Sequence, residues 1–306
     1  MKTAFLFPGQ GAQYAGMGHD FYDHFPEARF VFDQAAAVLG PEFLEVIFSG
    51  PEEKLKQTEN TQPAILTVSV AIFRVLESLG LNAAILAGLS LGEYSALVAA
   101  GVISFKEALP LVQKRGIYMQ EAVPLGQGLM VAIMGLSHNT VEQVCHTARS
   151  KGLVAPANYS CPGQIVISGY FAAVKLAVDL AREAGAKKIT ELKVSAPFHC
   201  ALLQPVENIL ACELDKIEIK KPSVPVVFNV TAKFADSHDQ IKLNLVRQVS
   251  NPILWEQSVH TLLASGINSF IGIGPGNSLS RLMKRIAPEV ETFSVEDVKA
   301  VEQLFE

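Results

Sequence analysis

Ser90 lies in Gly88-Leu89-Ser90-Leu91-Gly92, a G-x-S-x-G pattern. That pattern does chemistry in one setting: an apolar strand enters the serine, a helix leaves it, and small neighbours let the backbone bend until the hydroxyl stands clear as a nucleophile. The flanking segments, AAILAGL before and LGEYSALVAAG after, supply strand and helix on the correct sides. An ordinary strand-to-helix turn would read the same way. Serine at its free pKa is a poor nucleophile, so a base has to be found.

Of the seven histidines, His19, His24, His138 and His238 sit in polar segments or turns. His146 and His260 fall in amphipathic helical patterns, where a surface or packing role is the default. His199 differs: in KVSAPFHCALL it follows a strand and a Pro-Phe pair and opens a helix. A loop at the end of a sheet strand is where a base can reach a serine on another strand end. No acid completes a triad. An α/β-hydrolase order puts the acid between serine and histidine, yet Glu142, Asp179 and Glu191 belong mostly to a separate unit, and Glu207, Asp215, Glu218 and Asp239 are helical or exposed. A dyad, its imidazole oriented by a neutral group, is expected.

Arg115, in LVQKRGIYMQEAV, has two readings. Its stem packs on apolar neighbours with the head in water, or its fork clamps a carboxylate bidentately, which lysine could not imitate. Pro8-Gly9-Gln10-Gly11 is either a structural turn or a loop aiming N–H groups at an oxyanion, with the N–H of Leu91 as second donor. The turn in IGIGPGNS looks like a dinucleotide fingerprint but has Asn277 where the third glycine belongs, which favours a plain tight turn.

These residues need a frame that brings distant segments together. The first third alternates strands (TAFLF, AAILAGL) with helices (PAILTVSVAIFRVLESLG, SFKEALPLVQKRGIYMQEAV), the rhythm of a parallel sheet covered on both faces. The middle reads βαββαβ: GLMVAIMGL, NTVEQVCHTARSKG, LVAPANYS, GQIVISG, FAAVKLAVDLAREAGA and KITELKVS. That order is the split pattern of a ferredoxin-like unit. The large-domain rhythm then returns with HCALLQPVENILACEL, PVVFNV, INSFIGIGPG and NSLSRLMKRI. The expected fold is therefore α/β, a hydrolase-like parallel-sheet core of residues 1–124 and 196–306 with an inserted ferredoxin-like subdomain at 125–195.

Bulk properties exclude several classes. The 306 residues are 49% hydrophobic and 18% charged with a net charge of −5, enough for a large core and without the basic footprint of a nucleic-acid binder. Cys145, Cys161, Cys200 and Cys212 show no C-x-x-C pair and no metal spacing, so free thiols in a reducing cytoplasm are expected and no metal site. The start lacks a signal-type apolar region and no apolar run is long enough to cross a membrane.

Taken together, FPGQGAQ, GLSLGEYSAL, KRGIYMQEA, PGQIVISG, PFHCALL and RQVSNPILW resemble the malonyl-CoA:acyl carrier protein transacylases, in order from Phe7 to about Ile286. The resemblance implies the hydrolase-like core with its ferredoxin-like insertion. It further implies that Ser90 attacks the thioester of malonyl-CoA with His199 as base, that Gln10 and Leu91 N–H groups hold the oxyanion, and that Arg115 binds the free carboxylate. Phe198, Asn158 and Gln164 would join the substrate site, and the backbone carbonyl of Gln248 would orient His199 in place of an acid. The acceptor would be the phosphopantetheine thiol of an acyl carrier protein, with no permanently bound cofactor. An acyl hydrolase clearing carrier proteins is the alternative on this scaffold, but those relatives tend to lack the arginine. Three positions depart from the family pattern: Leu89 stands where many members have histidine, the ANxNSPGQ segment loses its second asparagine, and Phe198 matches malonyl-type polyketide enzymes where others carry serine. Fatty-acid and polyketide synthesis both stay open. Lys187, Lys188, Lys284 and Arg285 are expected to offer positive charge to an acidic carrier protein.

Overall fold

The structure, a computed structural model, describes residues 2–305 apart from 193 and 195. Its main sheet has six strands in the order β10-β9-β1-β2-β7-β8. These are β1 Thr3–Phe7, β2 Ile85–Gly88, β7 Val226–Phe228, β8 Lys233–Phe234, β9 Ser269–Ile273 and β10 Glu291–Val295. All neighbours run parallel except the short antiparallel edge pair β7–β8. The central strand β1 is apolar from Ala4 to Phe7, where both of its faces are covered. Phe5 and Phe7 point into the larger core with the Thr58–Ser78 helix, while Ala4 and Leu6 pack on the opposite side with Trp255, Val259 and Met283.

The second sheet is antiparallel with the order β4-β5-β3-β6. Its strands are β3 Gly128–Met134, β4 Val154–Cys161, β5 Gln164–Tyr170 and β6 Lys188–Glu191, with helices His138–Ala148 and Phe171–Glu183 in the two crossovers. This is the βαββαβ unit read from the sequence, with its first and third strands central. Alternation assigns its faces: Leu129, Val131, Ile133, Ile165 and Ile167 form the small core with the two helices. Met130, Ala132 and Val166 face the other way and pack against the large core. That second face makes one wall of a cleft whose other wall is the C-terminal edge of the parallel strands. The expected strand KITELKVS is regular only over Lys188–Glu191, and its Lys193 and Ser195 lie outside the described residues.

No helix among the described residues is long and apolar enough to cross a membrane. All four cysteines are free.

Candidate active site

Ser90 sits between β2 and the helix Leu91–Ala99 with φ 53° and ψ −105°, a conformation that side-chain-bearing residues rarely adopt. The glycines around it are required by contact. A Cβ on Gly88 would lie 1.9 Å from the Gly92 carbonyl oxygen, and one on Gly92 would lie 2.1 Å from that of Phe7. The bend therefore closes only without those side chains, and it leaves the serine hydroxyl at the end of the sheet. Leu91 opens the helix, where an N–H has no partner inside the helix. Both Leu91 and Gln10, from the loop after β1, border the small cavity at Ser90.

His199 meets Ser90 across 109 residues, with Nε2 2.8 Å from Oγ. Its other ring nitrogen, Nδ1, is 2.8 Å from the backbone carbonyl oxygen of Gln248, and its backbone N–H donates to Val249 at 3.2 Å. Gln248 ends the helix His238–Gln248. The last carbonyls of a helix have no partner within it and carry its negative end, so this terminus provides the neutral orienting group. With Nδ1 donating there, Nε2 presents its lone pair to the serine. Burial, and next the positive charge of Arg115, push the imidazole from 6.5 down to about 3, against the opposing pull of the Gln248 carbonyl. The ring is therefore neutral at physiological pH. His199 does not begin a helix as expected; it has φ 58°, and the chain passes through a short turn at Ala201–Leu203 before the helix Gln204–Leu214.

Arg115, on the helix Phe105–Glu121, is 1% exposed, so its head is not in solvent. Nη1 donates to Oε1 of Gln62 at 2.7 Å and Nη2 to Oε1 of Gln248 at 2.8 Å, with Ser90 Oγ 3.4 Å from Nη2. The guanidinium stacks over Tyr94 at 5.3 Å, and its Nε has no partner. Among the described residues no carboxylate forms an ion pair with it. The nearby Glu93 is fully buried, and desolvation raises its carboxyl to about 8 despite hydrogen bonds and Arg115, which favour the charged form. Near neutral pH the arginine thus faces mainly neutral dipoles. Burying a charge without a counter-charge is costly, and a guanidinium fork is well matched to a carboxylate.

The cavity holding Ser90, His199 and Arg115 is small, about 100 Å³, and Leu89, Met130, Leu192, Phe198 and Ile253 give it apolar walls. Asn158 lines it too, with an Oδ1 that has no partner. Outside it lies a second space of about 510 Å³ bordered by Gly11, Ser160, Arg281 and Arg285, and Gln10, Leu89 and Asn158 line both. Gln164 borders only the outer space, where its Oε1 accepts from Arg285 at 2.5 Å. A larger cavity of about 900 Å³, floored by Val31, Val70 and Ile103, contains none of these residues. Sequence reading missed Gln62 as a partner of Arg115, the side-chain role of Gln248, and Asn229, whose Oδ1 accepts the Ser90 N–H at 2.6 Å. Nothing local marks Gln62 and Asn229, since their partners lie far away in the chain.

A bent serine at the C-terminal end of a parallel strand, with a neutral imidazole in hydrogen-bond reach, is the arrangement of α/β enzymes that pass acyl groups through a serine. Comparison with known proteins narrows that class. Residues 4–302 match the family described as acyl transferase domain. The chain is 45% identical to the malonyl CoA-acyl carrier protein transacylase of Bacillus subtilis, covering 98% of this chain and 95% of that protein. It is 44% identical to the protein of the same name from Escherichia coli K12, over 98% and 97%. An acyl carrier protein S-malonyltransferase from Vibrio cholerae superposes with a TM-score of 0.97 at 44% identity, covering 99% of this chain and all of that one. A malonyl-transacylase solved in complex with a type II PKS acyl-carrier protein gives 0.97 at 43% identity, over 99% and 98%. The chain belongs to the malonyl CoA-acyl carrier protein transacylases.

Proposed function

We propose that this protein moves a malonyl group from coenzyme A to the phosphopantetheine thiol of an acyl carrier protein through a malonyl ester of Ser90. The observation that carries the reading is Arg115: a buried guanidinium without a carboxylate partner, 3.4 Å from the Ser90 hydroxyl. A substrate with a free carboxylate next to its reacting carbonyl satisfies it, and an acetyl group does not.

In this reading His199 Nε2 takes the proton of Ser90 as Oγ attacks the thioester carbonyl. The N–H groups of Gln10 and Leu91 hold the oxyanion, and Gln248, through its carbonyl, keeps the imidazole in the right tautomer. Collapse expels the coenzyme A thiolate, which takes the proton from Nε2. The carrier's thiol then repeats the steps in reverse order, giving its proton to Nε2 and leaving with the malonyl group. The outer space takes the pantetheine arm of either thioester, with Asn158 and Gln164 along its path. Phe198 and the other apolar walls keep water from the acyl-serine, as a transferase requires. Residues 125–195 act as the small subdomain covering a catalytic domain of 1–124 and 196–306, and four free thiols fit a cytoplasmic enzyme. No resident cofactor is needed, since both thioesters bring their own.

The test is mass spectrometry after mixing with malonyl-CoA alone, then with a phosphopantetheinylated carrier protein. One malonyl adduct should map to the Ser90 peptide and pass to the carrier, and Ser90→Ala should abolish it. Release of free malonate in place of transfer would make the protein a hydrolase, and an undiminished adduct in Ser90→Ala would remove the nucleophile assignment.

A further inference from the structure

Asn229, directly after β7, is fully buried, and its polar groups are committed to the bend at Ser90. Its Oδ1 accepts the Ser90 N–H at 2.6 Å, while its Nδ2 donates to the Gly88 carbonyl oxygen at 2.7 Å. One amide thus spans the bend, holding the peptide groups on both sides of Leu89. Asn229 is itself fixed from behind. Its backbone N–H donates to Glu93 Oε2 at 2.6 Å, and its carbonyl accepts from Leu254 at 2.9 Å. The Gln248 side chain adds a further restraint: Nε2 donates to the Ser90 carbonyl at 3.0 Å and reaches Asn229 Oδ1 at 3.4 Å. The Ser90 N–H and C=O are therefore both held by side chains from another part of the chain. A φ of 53° is unfavourable for serine, and it persists only where its surroundings over-determine it.

We infer that Asn229 is a positioning residue for acyl transfer, stapling Ser90 from its N–H to the Gly88 carbonyl so that Oγ stays aimed between His199 and the incoming carbonyl, with Glu93 as the anchor of the staple. The inference rests on Ser90 being the nucleophile. It predicts a specific defect. Without the amide, Ser90 relaxes toward an ordinary backbone conformation and Oγ moves relative to Nε2, whereas the carboxylate pocket at Arg115 is left in place. Misplacing a reacting group by about 1 Å costs on the order of a hundredfold in rate.

The test is rapid-quench measurement of malonyl loading in Asn229→Ala and Asn229→Asp, alongside the rate of Ser90 labelling by a fluorophosphonate, which reads nucleophile presentation without malonyl recognition. Asn229→Ala should lower the loading rate constant roughly 10- to 100-fold, with KM for malonyl-CoA little changed and the burst amplitude near that of the parent. Labelling should slow in parallel. Asn229→Asp keeps the acceptor and loses the donor, so its rates should fall between the two, and this variant carries the test if Asn229→Ala fails to fold. A lost amplitude with an unchanged rate constant would reduce Asn229 to a structural residue. Parent-like loading and labelling in both variants would overturn the inference outright. A Ser90→Ala control keeps the two claims apart: malonyl adduct in that variant sinks the nucleophile reading, whereas the Asn229 effect is still read by fluorophosphonate on Ser90 itself.

Discussion

Arg115 and His199 are coupled through charge as well as through Ser90. On the proposed mechanism, loss of Arg115 removes the partner of the substrate carboxylate, and truncating one member of such a buried pair costs roughly 2–5 kcal/mol, about 30- to several-thousand-fold. Arg115→Ala should lose malonyl transfer by that factor in kcat/KM while retaining or gaining acetyl transfer. A variant that still prefers malonyl as strongly as the parent would detach Arg115 from substrate recognition. The same substitution changes the pH profile. The imidazole is held at about 3 by burial first and by Arg115 second, so the base stays neutral far below its ordinary 6.5 and the acid limb of loading lies well into the acid range. Removing the guanidinium removes one of the two causes, and the acid limb measured with acetyl-CoA should move to higher pH. Glu93 titrates in the opposite sense. Its folded value of about 8 lies above the ordinary 4.5, so its contribution to stability is full below 4.5 and is lost as pH rises toward 8. Denaturant melts of Glu93→Gln should lack that alkaline decline, and a decline equal to the parent's would assign it to another group. Phe198 lines the cavity at Ser90. Phe198→Ser should relax discrimination against methylmalonyl-CoA by about 1–3 kcal/mol, the value of one extra carbon in an apolar pocket.

Two elements carry the geometry: the β2–serine–helix bend and the C-terminus of His238–Gln248. The bend is closed so tightly that Gly92→Ala must push on the Phe7 carbonyl. Overpacking of this kind costs about 1–3 kcal/mol, and here it should also move Ser90, so malonyl loading should fall by more than the loss in thermal stability accounts for. Parent-like loading in Gly92→Ala would mean the bend tolerates a side chain. This element was legible in the sequence because everything that makes it is local: a buried strand, two glycines and a helix within a few residues. The βαββαβ unit was legible for the same reason, with β3 and β5 reading as short, largely apolar runs beside amphipathic helices. Other elements lacked such a signal. β8 is two residues long and exposed, and β10 alternates only weakly at the sheet edge, so neither stood out from loop. The sequence favours a helix start at Pro63, a residue suited to a first turn, yet the helix begins at Thr58 and the Thr61 N–H already donates to the Gln57 carbonyl at 2.8 Å. In the site, Ser90, His199 and Arg115 have distinctive chemistry and local context. Gln62, Asn229 and the Gln248 side chain are amides in ordinary surroundings, and only tertiary contact gives them a task.

The two sheets meet across a cleft, and what crosses it decides how the carrier protein must approach. Arg285, on the helix Ser278–Ile286, donates to the Gln164 side chain at 2.5 Å and to the Pro162 carbonyl at 2.9 Å, tying the large sheet's layer to the β4–β5 turn at the edge of the outer space. It was expected as a docking cation, and it is an exposed one, but it is also a strap over the passage to Ser90. Lys187, Lys188 and Lys284 are exposed and border neither cavity of the site. Charge at these lysines can therefore act on a bound protein without touching the thioester arm. With a net charge of −5, attraction to an acidic carrier has to be local, and local attraction between exposed groups fades beyond a Debye length of about 8 Å at physiological salt. Lys284→Glu, and Lys187→Glu with Lys188→Glu, should raise the apparent KM for carrier protein, more so at low salt, and leave loading from malonyl-CoA unchanged. Arg285→Glu should impair both half-reactions, because it loosens the strap as well as reversing a charge. Steady-state kinetics of the two halves at two ionic strengths separate these outcomes. If the lysine reversals leave the carrier half-reaction untouched at low salt, the carrier approaches over a different face of the cleft.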